Sequence, residues 1–344
     1  MSTQSAGVER SCKTFPDFDR PVPDNGYAWW YLDAISDCGD NALTVIGFIG
    51  SVFSPFYARA RKVASSDPRE YSAMNVVLYG RGGHRWTLTE RGRAQLQRSA
   101  THLAIGPSSM QWEGDALTVE IAETTCPLPR AVRGQLKLYP TGLAERTLSL
   151  DEHGRHQWRP IAPIARVEVE LRSPVLRWTG SAYLDSNWGE QPLEQAFARW
   201  SWSRSVHGSR TALFYDVETV TRQQITHALL AHPDGHLESI PPPETIQLPR
   251  SIWRMPRPQR SEAANQTAVL RTLEDAPFYS RSRIRTRVDG LDGDGIHESL
   301  SLARFDSTWV QLMLPYRMPR APHAGGQDSG LLRNLLCPWL LPLL

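Results

Sequence analysis

Short runs of β-branched and aromatic residues, each closed by turn residues, recur along almost the whole chain. Ala42–Gly50, Met74–Tyr79 and Arg85–Thr89 read as strands, the last two joined as a hairpin across Gly82-Gly83. Ser109–Ile121 reads as two strands around Glu113-Gly114-Asp115, and Leu136–Tyr139, Ala165–Leu171 and Leu176–Tyr183 continue the series. It resumes with the alternating Phe197–Ser203, then Arg210–Glu218 after a Gly208-Ser209 turn and Gln224–Ala231 before Pro233-Asp234-Gly235-His236. Ile240–Glu244 is a stiff, proline-filled loop, and Ser282–Val288 and Gly295–Ala303 complete the pattern. Strands spaced by roughly 8–12 residues, with little sustained helical periodicity, predict an all-β chain built as sandwiches or barrels.

At about 150 residues per domain, 344 residues suggest two domains. The turn-rich stretch Asn187–Pro192 is the best break between them. It separates residues 21–190 from 191–320, with a flexible segment at 1–20 and an apolar tail at 321–344.

Composition narrows the function. Lys+Arg 38 against Asp+Glu 36 leaves +2, without the concentrated basic excess of a nucleic-acid binder. Neither a Rossmann nor a P-loop glycine pattern appears, nor HExxH, which argues against a nucleotide-dependent enzyme and leaves no metal motif. The four cysteines lie at neither CxxC nor zinc-site spacing, which favours a reducing compartment. No signal-peptide design opens the chain. The apolar run Ala42–Phe53 falls well short of the ~20 residues a membrane helix needs. The final run Leu335–Leu344, broken by Pro338 and Pro342, could touch a membrane surface but not span it. Twelve tryptophans suit broad aromatic packing or an apolar pocket.

Three clusters carry potential chemistry: Asp24–Asp33, Gly154–Arg159 and Gly180–Gly189. On extended backbone, residues i and i+2 share a face, so His156 pairs with Trp158 and Tyr183 with Asp185. If those faces line one cavity, a carboxylic acid, an imidazole, a phenol and an indole converge. Each pair also has a plain structural reading: His156–Trp158 as a core or surface pair, Asp185 as a strand-end carboxylate capping a turn. Tyr31–Asp33 repeats the spacing and reads as structural. Trp29 and Trp30 must face opposite ways, as must Tyr215 and Asp216. Trp200 and Trp202 share a face in a core or at an interface.

Taken together, Asn25–Asp33, Ile46–Arg59, His156–Trp158 and Tyr183–Gly189 resemble the carotenoid 1,2-hydratases, also called hydroxyneurosporene synthases, of purple phototrophic bacteria. The resemblance covers roughly residues 15–320. It implies two lipocalin-like β-barrel domains in tandem, with little helix, and His156, Trp158, Tyr183 and Asp185 as the functional positions. It further implies cofactor-free hydration of the terminal C1=C2 bond of acyclic carotenes such as neurosporene and lycopene.

Such chemistry needs a proton on C2 and water at the tertiary C1 cation. Asp185, kept protonated by apolar burial, is the candidate donor. The rings of Trp158 and Tyr183 could shelter the cation, and His156 could hold the water or take its proton, so the acid–base split between Asp185 and His156 stays open. Tyr183 could hydrogen-bond Asp185 or the water. A hydrophobic carotene implies a cytoplasmic protein in peripheral contact with the inner or intracytoplasmic membrane; oligomeric state is open. The alternatives are a non-catalytic carotenoid or lipid carrier, and an isomerase or cyclase on the same fold.

Overall fold

The computed structural model describes residues 16–80 and 83–321. The first sheet contains β1 (Tyr27–Ser36), β2 (Ala42–Ile49), β3 (Ser72–Tyr79), β4 (Arg85–Arg91), β5 (Leu96–Arg98) and β6 (His102–Ile105). It continues with β7 (Ser108–Glu113), β8 (Ala116–Thr124), β9 (Ala131–Pro140), β10 (Leu148–Ser149), β11 (His156–Ser173) and β12 (Val175–Gly189). The spatial order is β4-β3-β2-β1-β12-β11-β9-β8-β7-β6-β5, with β10 beside β11. The edge strands β4 and β5 follow one another in the chain with only Gly92–Gln95 between them. The sheet must therefore roll until its two edges almost meet, giving a nearly closed barrel.

The second sheet takes β13 (Phe197–His207), β14 (Arg210–Thr219), β15 (Gln224–Ala231) and β16 (Leu237–Ser239). After a ribbon of β17 (Thr245–Leu248) and β18 (Arg257–Arg260), it adds β19 (Ala268–Asp275), β20 (Tyr279–Val288) and β21 (Leu291–Ser301). Its order is β16-β15-β14-β13-β21-β20-β19. Helices are short: α1 (Pro55–Val63), α2 (Leu193–Ala196), α3 (Leu302–Phe305) and α4 (Thr308–Met313). The fold is all-β, as the strand spacing predicts.

Side-chain parity shows how the barrel wall is used. On β8, Leu117, Val119 and Ile121 face the barrel interior while Glu120 faces water, the alternation of a half-solvated sheet. On β1 both faces are buried. Ala28, Trp30, Leu32 and Ala34 fill the barrel interior, whereas Tyr27, Trp29, Tyr31 and Ile35 join a separate core shared with Trp202, Leu213, Tyr215 and Leu300 of the second sheet. The second sheet thus covers one side of the barrel, and the most aromatic core lies between the two sheets. β11 and β12 change character along their length: Val167, Val169 and Leu171 alternate with exposed Glu168 and Glu170, while His156–Ile164 is almost wholly buried. Prolines inside β11 are tolerated at register shifts between Pro160 and Ala165.

Three local readings change. Asn187–Gly189 is not turn but the end of β12, so the break between the sheets falls at Glu190–Ala196. Residues 16–20 are not loose: Phe18 is fully buried against Trp30, whose indole N–H donates to the Pro16 carbonyl at 2.7 Å. The chain beyond Pro319 still pairs with β4 through Glu90 and Arg320. Most of the N-terminal segment 1–20, part of the Gly82-Gly83 turn and nearly all of the tail 321–344 lie outside the described residues.

Candidate active site

The barrel's outer face, where the second sheet covers it, sets three strands side by side. Register places Asp185 of β12 between Tyr31 of β1 and Pro160 of β11. Tyr183 stands opposite Asp33, Asn187 opposite Trp158, and Gly189 opposite both His156 and Tyr27. Directly opposed residues share a face, so Tyr31, Asp33, Tyr183 and Asp185 form a compact patch in which each tyrosine faces an aspartate. The second sheet closes over it with Trp202 and Tyr215.

The Asp185 carboxyl is enclosed by rings. Its Oδ2 accepts from the Trp158 indole N–H at 2.9 Å and from the Tyr183 hydroxyl at 2.8 Å. Oδ1 has no hydrogen-bond partner among the described residues. Burial pushes Asp185 up to about 8; the Trp158 and Tyr183 hydrogen bonds pull the other way, and the negative charges of Glu298 and Asp33 add to the rise. Asp185 is therefore mostly a neutral acid at pH 7, with one oxygen held and the other free to carry a proton. The neighbouring carboxylate differs: Asp33 forms ion pairs with Arg204 and Arg281 of the second sheet. Two aspartates on adjacent strands thus have different partners, one cations and the other aromatic donors.

His156 sits apart from this group. Gly189, its cross-strand partner, lies four residues along β12 from Asp185, which is ~13 Å at strand rise. Its Nδ1 shares a 2.9 Å hydrogen bond with the Tyr27 hydroxyl, its ring packs edge-on against Phe197, and Nε2 is unpartnered among the described residues. Burial lowers its pKa to about 4, so the imidazole is neutral at pH 7. Glycine is required at 189, because a Cβ there would lie 2.5 Å from His156 Nδ1 and 2.6 Å from the Tyr27 ring.

An apolar cavity of about 310 Å³ opens beside this cluster, between β1–β4 of the barrel and the second sheet. Trp29, Tyr31, Trp200 and Glu298 line it. None of His156, Trp158, Tyr183 and Asp185 is among its lining residues; they stand one ring further in. Tyr31 is the divider, with its ring 6.3 Å from Tyr183 and 5.4 Å from Trp202. Its hydroxyl donates to Glu298 at 2.7 Å, and Glu298 forms an ion pair with Arg281.

The sequence pairs Trp158, Tyr183 and Asp185 are brought together on one oxygen, and His156 is not. Trp29 lines the cavity while Trp30 fills the barrel interior, as opposite faces require. Sequence reasoning missed Arg204, Arg281 and Glu298, named Trp202 and Tyr215 only as core, interface or opposite-face residues, and left Tyr31 and Asp33 as structural. The repeated Tyr-x-Asp spacing was the signal for that last pair. Among the described residues no group of three or more His, Cys, Asp or Glu side chains could hold a metal ion.

Comparison with known proteins places the chain in a family. The model of the family "Carotenoid hydratase CrtC" matches residues 45–325. The acyclic carotenoid 1,2-hydratase of Thiocapsa roseopersicina is 50% identical over 89% of this chain and 76% of its own length. That of Rubrivivax gelatinosus is 46% identical, again over 89% and 76%. Among solved structures, kievitone hydratase from Nectria haematococca shares the fold at 11% identity, with a TM-score of 0.53 over 89% of this chain and 98% of that one. With most of its length matched by the family model and by close relatives, this chain belongs to the carotenoid hydratase family.

Proposed function

We propose that this chain adds water across the terminal C1=C2 bond of acyclic carotenes such as neurosporene and lycopene, giving a tertiary alcohol at C1 without a cofactor. The observation that carries the reading is the buried, neutral Asp185, with Oδ2 fixed by Trp158 and Tyr183 and Oδ1 unpartnered. Asp185 gives its proton to C2, and the π electrons form the new C–H bond. Water oxygen then bonds to the tertiary cation at C1, and the proton it releases restores the Asp185 acid, so the protein is unchanged. The faces of Trp158, Tyr183 and Trp202 shelter the cation, an interaction worth about 2 kcal/mol in a dry site. Tyr31, opposite Asp185 and bonded to the cavity-lining Glu298, stands on the route for that returning proton.

His156 acts at a distance in this scheme. It fixes Tyr27, whose ring stacks on Trp29 in the cavity wall at 5.0 Å. A cavity of about 310 Å³ takes one end of a long polyene rather than all of it. The terminal double bond has to approach Asp185 past Tyr31, whose ring separates the cavity from Tyr183. Residues 21–190 and 191–320 serve as two lipocalin-like domains that hold the site between them, and the enzyme works on the cytoplasmic side in peripheral contact with the membrane.

Purified protein incubated with lycopene in detergent should yield a product heavier by one water. In deuterated water the product should carry one carbon-bound deuterium, at C2. Product of unchanged mass would replace this reading with an isomerase or cyclase, and tight binding without conversion would replace it with a carrier.

A further inference from the structure

The C-terminal helical segment is apolar on both faces. In α4 and the 3₁₀ turn Leu314–Tyr316, Val310 and Leu314 are buried under the cavity. On the other side Trp309, Leu312, Met313 and Tyr316 are 47%, 68%, 50% and 60% exposed. Those positions follow i, i+3, i+4 and i+7, one stripe of a helix, where a water-facing segment would be polar. The loop before β18 adds Ile252 and Trp253, the latter with its ring 6.1 Å from Trp309. Trp253 and Met313 also line the cavity, so the exposed stripe is the rim of its opening. Arg254 is exposed on the same rim; Arg317, also exposed, pairs with Glu274 at 3.9 Å, and the exposed acid Asp306 is paired with Lys62.

We propose that this rim docks on an anionic lipid bilayer, so that the cavity opens directly onto the acyl chains. Tryptophan, tyrosine and aliphatic side chains on one face with arginines beside them are the composition of an interfacial segment. Arg254 meets lipid phosphates, whereas a second copy packed face to face would set like guanidinium groups against each other. A net charge of +2 on the whole chain leaves little long-range attraction, so apolar insertion supplies most of the binding. The docking gives the proposed carotene reaction its substrate, and in that sense rests on that reading, but vesicle binding can be measured without any carotene.

The test is co-sedimentation of the full chain with phosphatidylglycerol–phosphatidylcholine vesicles. Trp309→Ser combined with Leu312→Ser and Tyr316→Ser, none of them lining the cavity, should weaken binding at least tenfold. Hydration of detergent-dispersed lycopene should stay within twofold. Arg254→Glu, a single change at an exposed position, should weaken binding several-fold to phosphatidylglycerol vesicles and little to pure phosphatidylcholine. Unchanged vesicle binding in the triple variant would overturn the proposal, placing the contact elsewhere, such as in Leu331–Leu344. So would no vesicle binding by the parent, or a parent dimer that the triple variant converts to monomer with vesicle binding intact. Vesicle binding that behaves as expected in a protein that fails to hydrate lycopene would leave the docking surface standing and the reaction refuted.

Discussion

Replacing Asp185 by Asn should make the protein inactive and more stable at once. In the fold this carboxyl loses its proton near pH 8, whereas in an unfolded chain it does so near pH 4. Between those limits the folded chain holds one proton more than the unfolded chain, so stability falls as pH rises through the window. Each pH unit is worth about 1.4 kcal/mol. Keeping the acid buried therefore costs about 4 kcal/mol at pH 7 and almost nothing at pH 4. Asparagine keeps the shape and can still accept from Trp158 and Tyr183, but has no charge to desolvate. Asp185→Asn should gain about 2–4 kcal/mol at pH 7. That gain should shrink by about 1.4 kcal/mol for each pH unit downward. Urea unfolding of both proteins at pH 5, 6 and 7 reads this directly, and lycopene hydration should fall by several orders of magnitude. A stability difference that does not vary with pH, or a variant weaker than its parent at pH 7, would mean that Asp185 is ionised in the fold.

Tyr183→Phe and Trp158→Phe each remove a donor that favours the carboxylate. Each should move the alkaline limit of the pH–rate profile above its parent value near 8 and slow hydration about tenfold; Trp158→Ala should be worse, since it also removes the ring. Gly189→Ala should destabilise the fold by about 1–3 kcal/mol through overpacking against His156 and Tyr27. Its pH limit should stay where it was, and His156→Ala should likewise lower the rate without moving that limit. Arg281→Met would take from Glu298 its buried cation and leave Asp33 with Arg204 alone, and calorimetry should register a loss of about 3–5 kcal/mol.

The strands were legible where one face meets water. Leu117, Val119 and Ile121 alternate with polar residues, and Gly114 and Gly208, both at positive φ, mark their turns. Legibility fades where both faces are buried. Tyr27–Ser36 shows no alternation because one face fills the barrel and the other packs on the second sheet. Prolines likewise disguise the first half of β11, since bulges absorb them. Spacing could pair Tyr183 with Asp185 because i, i+2 geometry is local, the resemblance singled out both along with Trp158, and Trp158 is brought to Asp185 by simple strand pairing. Arg281, Glu298 and Trp202 arrive from the second sheet, and no local pattern announces which strand faces of two sheets will meet. His156 shows the converse: sharing a face with Trp158 put it on the same sheet surface, but two register steps too far to share an oxygen.

The central claim is that Asp185 is a buried, neutral acid in a ring-lined setting, and its protonation can be observed without substrate. Infrared difference spectra of the parent minus Asp185→Asn should show the carbonyl stretch of a protonated carboxylic acid at pH 6. That band should give way to carboxylate bands as pH rises through about 8. Hydration activity should be lost over the same interval. A carboxylate signature already complete at pH 6 would contradict the account, because an ionised Asp185 has no proton to give.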